Sequence, residues 1–266
     1  MPDILNIAHR GSSGNAPENT LSAFRLAIKQ RADMIELDVH QTRDSHIIVL
    51  HDEYLKTGIL KKRLIKDMTL KEIREINKNI PTLKQVLMLI KEKIRLNIEI
   101  KHSSGYYPDI ERNVYSLLKK ERMLFDTIIS SFDIDCLKKF RKISDDIIIG
   151  FLYNKKDWRK ALKQSKDLKA YSFHVSDKIL SKEIVDKVHK SGMRLFVYTI
   201  NDEDEIALGI VLAGIIIILT KKLLRAMKAS KTEEYSIRIK CRKCGWEGEV
   251  AKYARICPRC GRKAAT

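Results

Sequence analysis

The stretch Met34-Ile35-Glu36-Leu37-Asp38-Val39-His40-Gln41-Thr42-Arg43-Asp44-Ser45-His46-Ile47-Ile48-Val49-Leu50-His51-Asp52 decides the fold. It holds two apolar, β-branched runs, 33–39 and 47–50, joined by a short polar link. A parallel crossover needs about a dozen residues or more, so these two runs must pair as an antiparallel hairpin. A turn centred on Asp44-Ser45 would set His51 opposite Asp38. Elsewhere up to residue 220 the pattern is different. Strands are predicted at 4–9, 33–39, 95–101, 127–132, 147–153, 170–175, 193–199 and 215–220. Helical stretches lie near 20–30, 82–93, 108–121, 133–142, 157–166, 181–191 and 202–209. Strands apolar on both faces and separated by helices indicate a parallel sheet. Eight such repeats predict an α/β chain with a (β/α)8 TIM barrel and a small hairpin insertion after strand 2; a doubly wound open sheet is the competing arrangement.

Composition limits the function. With 266 residues, 44% hydrophobic and 32% charged, the chain can bury a sizeable core. The longest apolar run, Ile206 to Leu219, is interrupted by Gly209 and Gly214 and is too short for a membrane span of about 20 residues. Pro2, Asp3 and Asn6 lead straight into strand-like sequence, so no signal peptide and a cytoplasmic placement are expected. The net charge of +18 is uneven: residues 221–266 carry 14 Lys and Arg against 4 Glu. Such a field favours anionic substrates or surfaces. Nucleic acid is not implied, because lysine is spread over every helix.

Glu36-Leu37-Asp38 ends the second strand. Residues at i and i+2 share a strand face, so the two carboxylates point the same way. Among apolar neighbours they are costly to bury without a cation. Glu99-Ile100-Lys101 repeats the arrangement at the end of the next parallel strand. Glu36, Asp38 and Glu99 suit a hard divalent ion such as Mg²⁺ or Ca²⁺; with Lys101 they would equally form a buried salt-bridge network. His9 ends the first strand, and the hairpin returns His51 to the level of Asp38. Two imidazoles beside a carboxylate cluster suit acid–base opening of a phosphodiester. Arg10 and Lys101 add charge for phosphate oxygens. His40, His46, His102 and His189 lack such a concentration of partners, while His174, at a strand end, could face the mouth.

These residues carry a resemblance. H-R-G-x-S-x-x-x-P-E-N-T at 9–20, E-L-D-V-x-x-T-x-D at 36–44, V-L-H-D at 49–52, I-E-I-K at 98–101 and S-S-F-D at 130–133 resemble the glycerophosphodiester phosphodiesterases. The resemblance spans roughly residues 4 to 220 and implies a TIM barrel. It implies metal ligands at Glu36, Asp38 and Glu99, an acid–base pair at His9 and His51, and phosphate contacts at Arg10 and Lys101. It also implies hydrolysis of glycerophosphodiesters to glycerol phosphate and an alcohol, through attack by the substrate's own glycerol hydroxyl. That route needs no Ser or Cys nucleophile; Ser12, Ser130 and Ser131 read as hydrogen-bonding residues of loop and mouth. The chain departs from the family in three places. The insertion after His51-Asp52 is short (Glu53 to Pro81, with a helix at 69–77). The usual Val-Trp-Thr is Val197-Tyr198-Thr199, leaving Tyr198 as the aromatic face for substrate. The acidic residue and proline after the last strand are absent from Leu219-Thr220-Lys221-Lys222.

Beyond residue 222 a basic helix or linker, 223–235, leads to a module at 236–266. Cys241-x2-Cys244, twelve residues, then Cys257-x2-Cys260 is a four-cysteine zinc pattern resembling a zinc ribbon. Four thiolates leave no open coordination position, so Zn²⁺ there would be structural. Cys136 stands alone and reads as a small buried hydrophobe. The basic module could meet a protein or an anionic surface. The resulting expectation is a metal-dependent glycerophosphodiester phosphodiesterase. One rival is a lysophospholipase D-like or other phosphodiesterase at an anionic membrane surface; another is a non-catalytic barrel scaffold whose ribbon binds nucleic acid or protein.

Overall fold

The first two apolar runs, β1 (Asn6–His9) and β2 (Met34–Gln41), lie side by side as parallel strands, with His9 beside Glu36. α1 (Leu21–Lys29) crosses between them, started by Thr20, whose side chain accepts from the Ala23 amide. The computed structural model describes residues 5–57, 61–103, 105–200, 216–219, 236–240 and 247–251. Along it follow β3 (Ile47–Val49), β4 (Tyr54–Lys56), β5 (Lys62–Leu64), α2 (Leu70–Ile76), α3 (Leu83–Ile90), β6 (Arg95–Ile100), α4 (Ile110–Glu121), β7 (Thr127–Ser131) and α5 (Ile134–Ile143). Then come β8 (Ile148–Tyr153), α6 (Trp158–Asp167), β9 (Ser172–Ser176), α7 (Lys182–Lys190), β10 (Arg194–Ile200), β11 (Ile216–Leu219), β12 (Ser236–Lys240) and β13 (Glu247–Ala251).

Strands β1, β2, β6, β7, β8, β9, β10 and β11 pair in parallel in that order, and β1 also pairs with β11. The sheet is therefore a parallel α/β barrel of the TIM type, not an open doubly wound sheet. All eight residues of β2 are buried, as a strand covered on both faces requires. Leu5 and Ile7 of the first strand region, Met34 of β2, Ile128 of β7 and Phe196 of β10 form one core cluster. Strands that are not neighbours can meet in this way only in the barrel lumen. The predicted helix at 202–209 lies outside the described residues.

β3 pairs antiparallel with β2, but the register differs from the expected one. Val39 faces Val49, His40 faces Ile48 and Gln41 faces Ile47, so Leu50, not His51, falls opposite Asp38. The loop holds an odd number of residues. Thr42 and His46 close it through the Thr42 amide and the His46 carbonyl, and Ser45 occupies a left-handed conformation (φ 62°). Three-residue hairpin loops place their last residue there, whereas a turn centred on Asp44-Ser45 needs an even number of loop residues. The Thr42 hydroxyl donates to Asp44 Oδ1 and accepts from the His46 amide, which fixes this geometry.

The segment after β3 carries its own small core of Ile48, Leu55, Ile65, Met68, Ile73 and Ile80. α2 within it is held by a reciprocal cap between Thr69 and Glu72. Two glycines are required by space. Gly11 has φ +79°, and a Cβ there would lie 2.8 Å from the Ala23 Cβ. A Cβ on Gly150 would collide with His174 Nε2 and lie 2.7 Å from Ser172 Oγ.

The chain divides into two units, Met1–Ala226 and Met227–Thr266. In the second, β12 and β13 form an antiparallel pair with Lys240 opposite Glu247. Cys241, Cys244, Cys257 and Cys260 lie outside the described residues, as does the whole of the predicted linker at 223–235. Cys136 is buried and free. Among the described residues no helix is long and apolar enough to cross a membrane.

Candidate active site

The carboxyl ends of β1, β2 and β6 meet at one point of the barrel mouth. β2 supplies Glu36 and Asp38 on one face, and β6 brings Glu99 level with Asp38. One oxygen from each of Glu36, Asp38 and Glu99 lies within 4.8 Å of the others, and all three residues are buried. β1 ends in His9, whose Nε2 is 3.8 Å from Glu36 Oε2. The chain then turns sharply through Arg10 (φ 56°) and Gly11, which points the Arg10 amide at Glu36 Oε2, 3.0 Å away.

Two cations balance this cluster in part. Lys101 Nζ lies 2.8 Å from Asp38 Oδ1 and 2.7 Å from Glu99 Oε1. Arg10 Nε lies 3.2 Å from Asp38 Oδ2, and its Nη1 donates to Glu18. Three carboxylates thus face two cations, and the deficit falls on Glu36. Burial, followed by repulsion from Asp38 and Glu99, pushes the Glu36 carboxyl well above the ordinary range. Burial and then Asp38 also raise Glu99, although Lys101 opposes them. Burial works against ionised Asp38 too, but Lys101 and Arg10 overcome it and hold that carboxyl low. Asp38 Oδ1 meets only Lys101, at 2.8 Å, and accepts no well-aligned hydrogen bond. A divalent cation fits this donor set: it would supply the missing positive charge, and all three ligands are hard oxygens.

His9 is held neutral. Burial first, and then the neighbouring Arg10 guanidinium, lower its imidazole to about 4. His51 lies near enough to His9 and to Glu99 for its charge to be felt at both. Its Nδ1 is 2.9 Å from Asp52 Oδ1. His51 arrives here although the hairpin register differs from the expected one, because the chain leaves the ladder beyond Leu50 and strand alternation no longer governs it. The last link is the Leu50 amide donating to the Asp38 carbonyl at 3.1 Å.

Tyr198 stands on the opposite wall, at the end of β10. Its hydroxyl donates to the Tyr153 carbonyl at 3.3 Å, so it presents its ring and not its oxygen. Phe132, 43% exposed, meets that ring edge-on at 6.1 Å. Ser131 Oγ donates to the Ile100 carbonyl and Ser12 Oγ to Gln30 Oε1, both hydrogen-bonding roles as expected. His174 does not reach the mouth. It is fully buried beside Ser172 and stacked on Phe196, and burial lowers its ring to about 3.

Sequence reading missed Asn19. In a left-handed conformation (φ 55°), it donates through Nδ2 to Asp38 Oδ2 at 2.9 Å and accepts from the Asp38 amide at 3.4 Å. The signal was present, since asparagine tolerates φ > 0 better than most residues and stands immediately before a helix cap. His40 was also passed over. Its ring is buried, with Nδ1 2.8 Å from the Tyr107 hydroxyl and Nε2 3.0 Å from the His51 carbonyl oxygen.

Known proteins share this sequence pattern and fold. Residues 9–220 match the Glycerophosphoryl diester phosphodiesterase family. The chain is 36% identical over 216 residues to the glycerophosphodiester phosphodiesterase of Caldanaerobacter subterraneus subsp. tengcongensis, covering 76% of this chain and 87% of that one. Its fold matches the crystal structure of the Thermotoga maritima glycerophosphodiester phosphodiesterase with a TM-score of 0.72 and 28% identity, over 86% of this chain and 99% of that one. It also matches an Oleispira antarctica phosphodiesterase in complex with the product sn-glycerol-3-phosphate, with a TM-score of 0.70 and 27% identity, over 81% and 92% of the two chains. The matched span runs from the His9 that closes β1 to the end of the last barrel strand, and so takes in every acidic and basic group of the mouth. The chain belongs to the glycerophosphoryl diester phosphodiesterase family.

Proposed function

We propose that this chain hydrolyses glycerophosphodiesters to glycerol phosphate and an alcohol at the mouth formed by β1, β2 and β6. The observation that carries this is the convergence of Glu36, Asp38 and Glu99 beside His9 in a member of this family. A divalent cation held by Glu36, Asp38 and Glu99, Mg²⁺ or Ca²⁺, would supply Lewis-acid polarisation of the phosphoryl oxygens. The remaining chemistry belongs to the chain's own side chains. His9 is neutral and accepts the proton of the substrate's free glycerol hydroxyl as that oxygen bonds to phosphorus. His51, with Nδ1 held by Asp52, works through Nε2 and donates a proton to the departing alcohol oxygen as its P–O bond breaks. A cyclic glycerol phosphate results. In the second step the roles reverse: His51 takes a proton from water, whose oxygen bonds to phosphorus, and His9 returns its proton to the glycerol oxygen. The tethered hydroxyl spares the protein a nucleophile of its own.

Arg10 and Lys101 shift part of their charge from Asp38, Glu18 and Glu99 to the phosphate, and Tyr198 with Phe132 offers an aromatic wall to the leaving group. The basic residues of 221–266 give some support to a variant reading in which the same chemistry acts on lysophospholipids at an anionic surface. The four C-terminal cysteines are assigned to a structural zinc ribbon. The support is their spacing, Cys241-x2-Cys244, twelve residues, then Cys257-x2-Cys260. Cytoplasmic placement belongs to the same reading.

The test is hydrolysis of glycerophosphodiesters with several head groups, with and without Mg²⁺, Ca²⁺ or Mn²⁺. Metal-dependent release of glycerol phosphate is expected, reduced by roughly 10²- to 10⁴-fold in His9→Ala. No release, or equal release by His9→Ala and Glu36→Ala, overturns the proposal.

A further inference from the structure

The turn His51-Asp52-Glu53 carries a proposed proton donor, yet it lies outside regular structure and is partly exposed. Hydrogen bonds and a histidine–carboxylate contact tie it to the rest of the barrel. The Leu50 amide donates to the Asp38 carbonyl at 3.1 Å, and the Ile65 amide to the Glu53 carbonyl at 2.8 Å. His102 Nε2 lies 3.1 Å from Glu53 Oε2. A further link is made at His51 itself, by His40 Nε2 to the backbone carbonyl oxygen. A carbonyl oxygen only accepts, so His40 Nε2 must carry the hydrogen. In the neutral ring Nδ1 is then an acceptor, and the Tyr107 hydroxyl is its donor at 2.8 Å. Tyr107 is itself fully buried, and the backbone beside it is tied to the same strand, where Gln41 Nε2 donates to the Pro108 carbonyl at 2.7 Å.

His40 and Asp38 lie on the same face of β2 by strand alternation. One strand therefore supplies both a metal-ligand candidate and the group that grips the backbone of His51. A tilt of that backbone would move the imidazole relative to the cluster, and a misplacement of about 1 Å can cost about 10²-fold in rate.

We propose that His40, held in its Nε2–H tautomer by Tyr107, is a positioning residue that sets the His51 imidazole against the phosphodiester's leaving group. This rests on the reading of His51 as proton donor, and the experiment separates the two. His40→Gln keeps an N–H donor at the reach of Nε2. His40→Asn keeps only the inner position, near Nδ1, and loses the grip on His51. The expected result is that His40→Gln stays within about threefold of wild type. His40→Asn should lose about tenfold or more in kcat, with KM and the metal concentration for half-maximal rate changed less than twofold. Tyr107→Phe should lie between them. In a His51→Ala background the His40→Asn substitution should cost nothing further. The loss should shrink when the alcohol leaving group is replaced by nitrophenol, which departs without a proton. Thermal melting of each variant controls for folding. If His51→Ala is inactive while His40→Asn matches His40→Gln, the positioning role is wrong and the donor reading stands. If His40→Asn costs as much in the His51→Ala background as alone, His40 acts on folding and the role is again wrong. If His51→Ala retains full activity, the donor reading itself falls, and the positioning role falls with it.

Discussion

The two halves of the barrel solve opposite problems. In the β1–β2–β6 half, Glu36, Asp38 and Glu99 are buried beside only two cations, and the balance is left one charge short. In the β7–β10 half, the buried polar groups are neutral. Ser130 and Ser131 donate to the Ile98 and Ile100 carbonyls, and Ser172 pairs with His174, which packs on Phe196. Both halves use histidine at low proton affinity, His9 near the mouth and His174 in the lumen, and burial is the leading cause in each. The difference lies in what surrounds them. His9 stands among charges and beside the mouth, as the proton exchange proposed for it requires; His174 is sealed, and burial alone keeps it neutral. Chemistry is concentrated where charge compensation is incomplete, because that is where a bound ion or anion gains most.

The largest break in this contrast is Glu36→Gln. Lewis-acid assistance is worth several kcal/mol, so the substitution should lower kcat/KM by roughly 10³-fold. Without added metal the variant should melt no lower than wild type, since it removes a buried carboxyl whose partners, the Arg10 amide and a neutral His9, carry no positive charge. A rate within tenfold of wild type would place the metal elsewhere. Asn19→Ala comes next. It deprives a buried carboxylate of a hydrogen bond worth about 1.5–3 kcal/mol, so metal titration should show binding weakened roughly tenfold to a hundredfold. Unchanged affinity would reduce Asn19 to a loop residue.

The neutral half should respond only in stability. Gly150→Ala drives a methyl into His174 and Ser172 and should cost about 1–3 kcal/mol in denaturant unfolding, with turnover per folded molecule unchanged. The last effect is read against pH. The unfolded His174 titrates near 6.5, while the folded one stays neutral to about 3. Between those values only the unfolded chain binds the proton, so its contribution is complete above pH 6.5 and is lost as pH falls toward 3. His174→Gln should flatten the acid-side loss of stability by about 1.4 kcal/mol per pH unit. Parallel curves for the two proteins would show that His174 is hydrated or paired in solution.

Much of the barrel was legible because buried parallel strands are written as continuous apolar runs, and each described run lies within two residues of its expected place. The β2–β3 register was not legible, since one residue in the left-handed region at Ser45 changes the loop from even to odd and shifts the ladder by one. His174 also misled. A strand-end histidine looks the same in sequence whether it faces the mouth or the lumen, and only the space left by Gly150 decides.

The sequence by itself determined the fold class and the membership of the acidic cluster. Glu36-Leu37-Asp38 and Glu99-Ile100-Lys101 are local patterns, and strand alternation alone puts their charges on a shared face. Only the tertiary structure decided how those charges are spent. Lys101 sits between Asp38 and Glu99, Arg10 is divided between Asp38 and Glu18, and Asn19 and His40 enter the mouth without announcing themselves. The reason is physical. Which cation compensates a buried carboxylate, and which ring grips a distant carbonyl, depends on distances across the closed barrel that no local spacing contains.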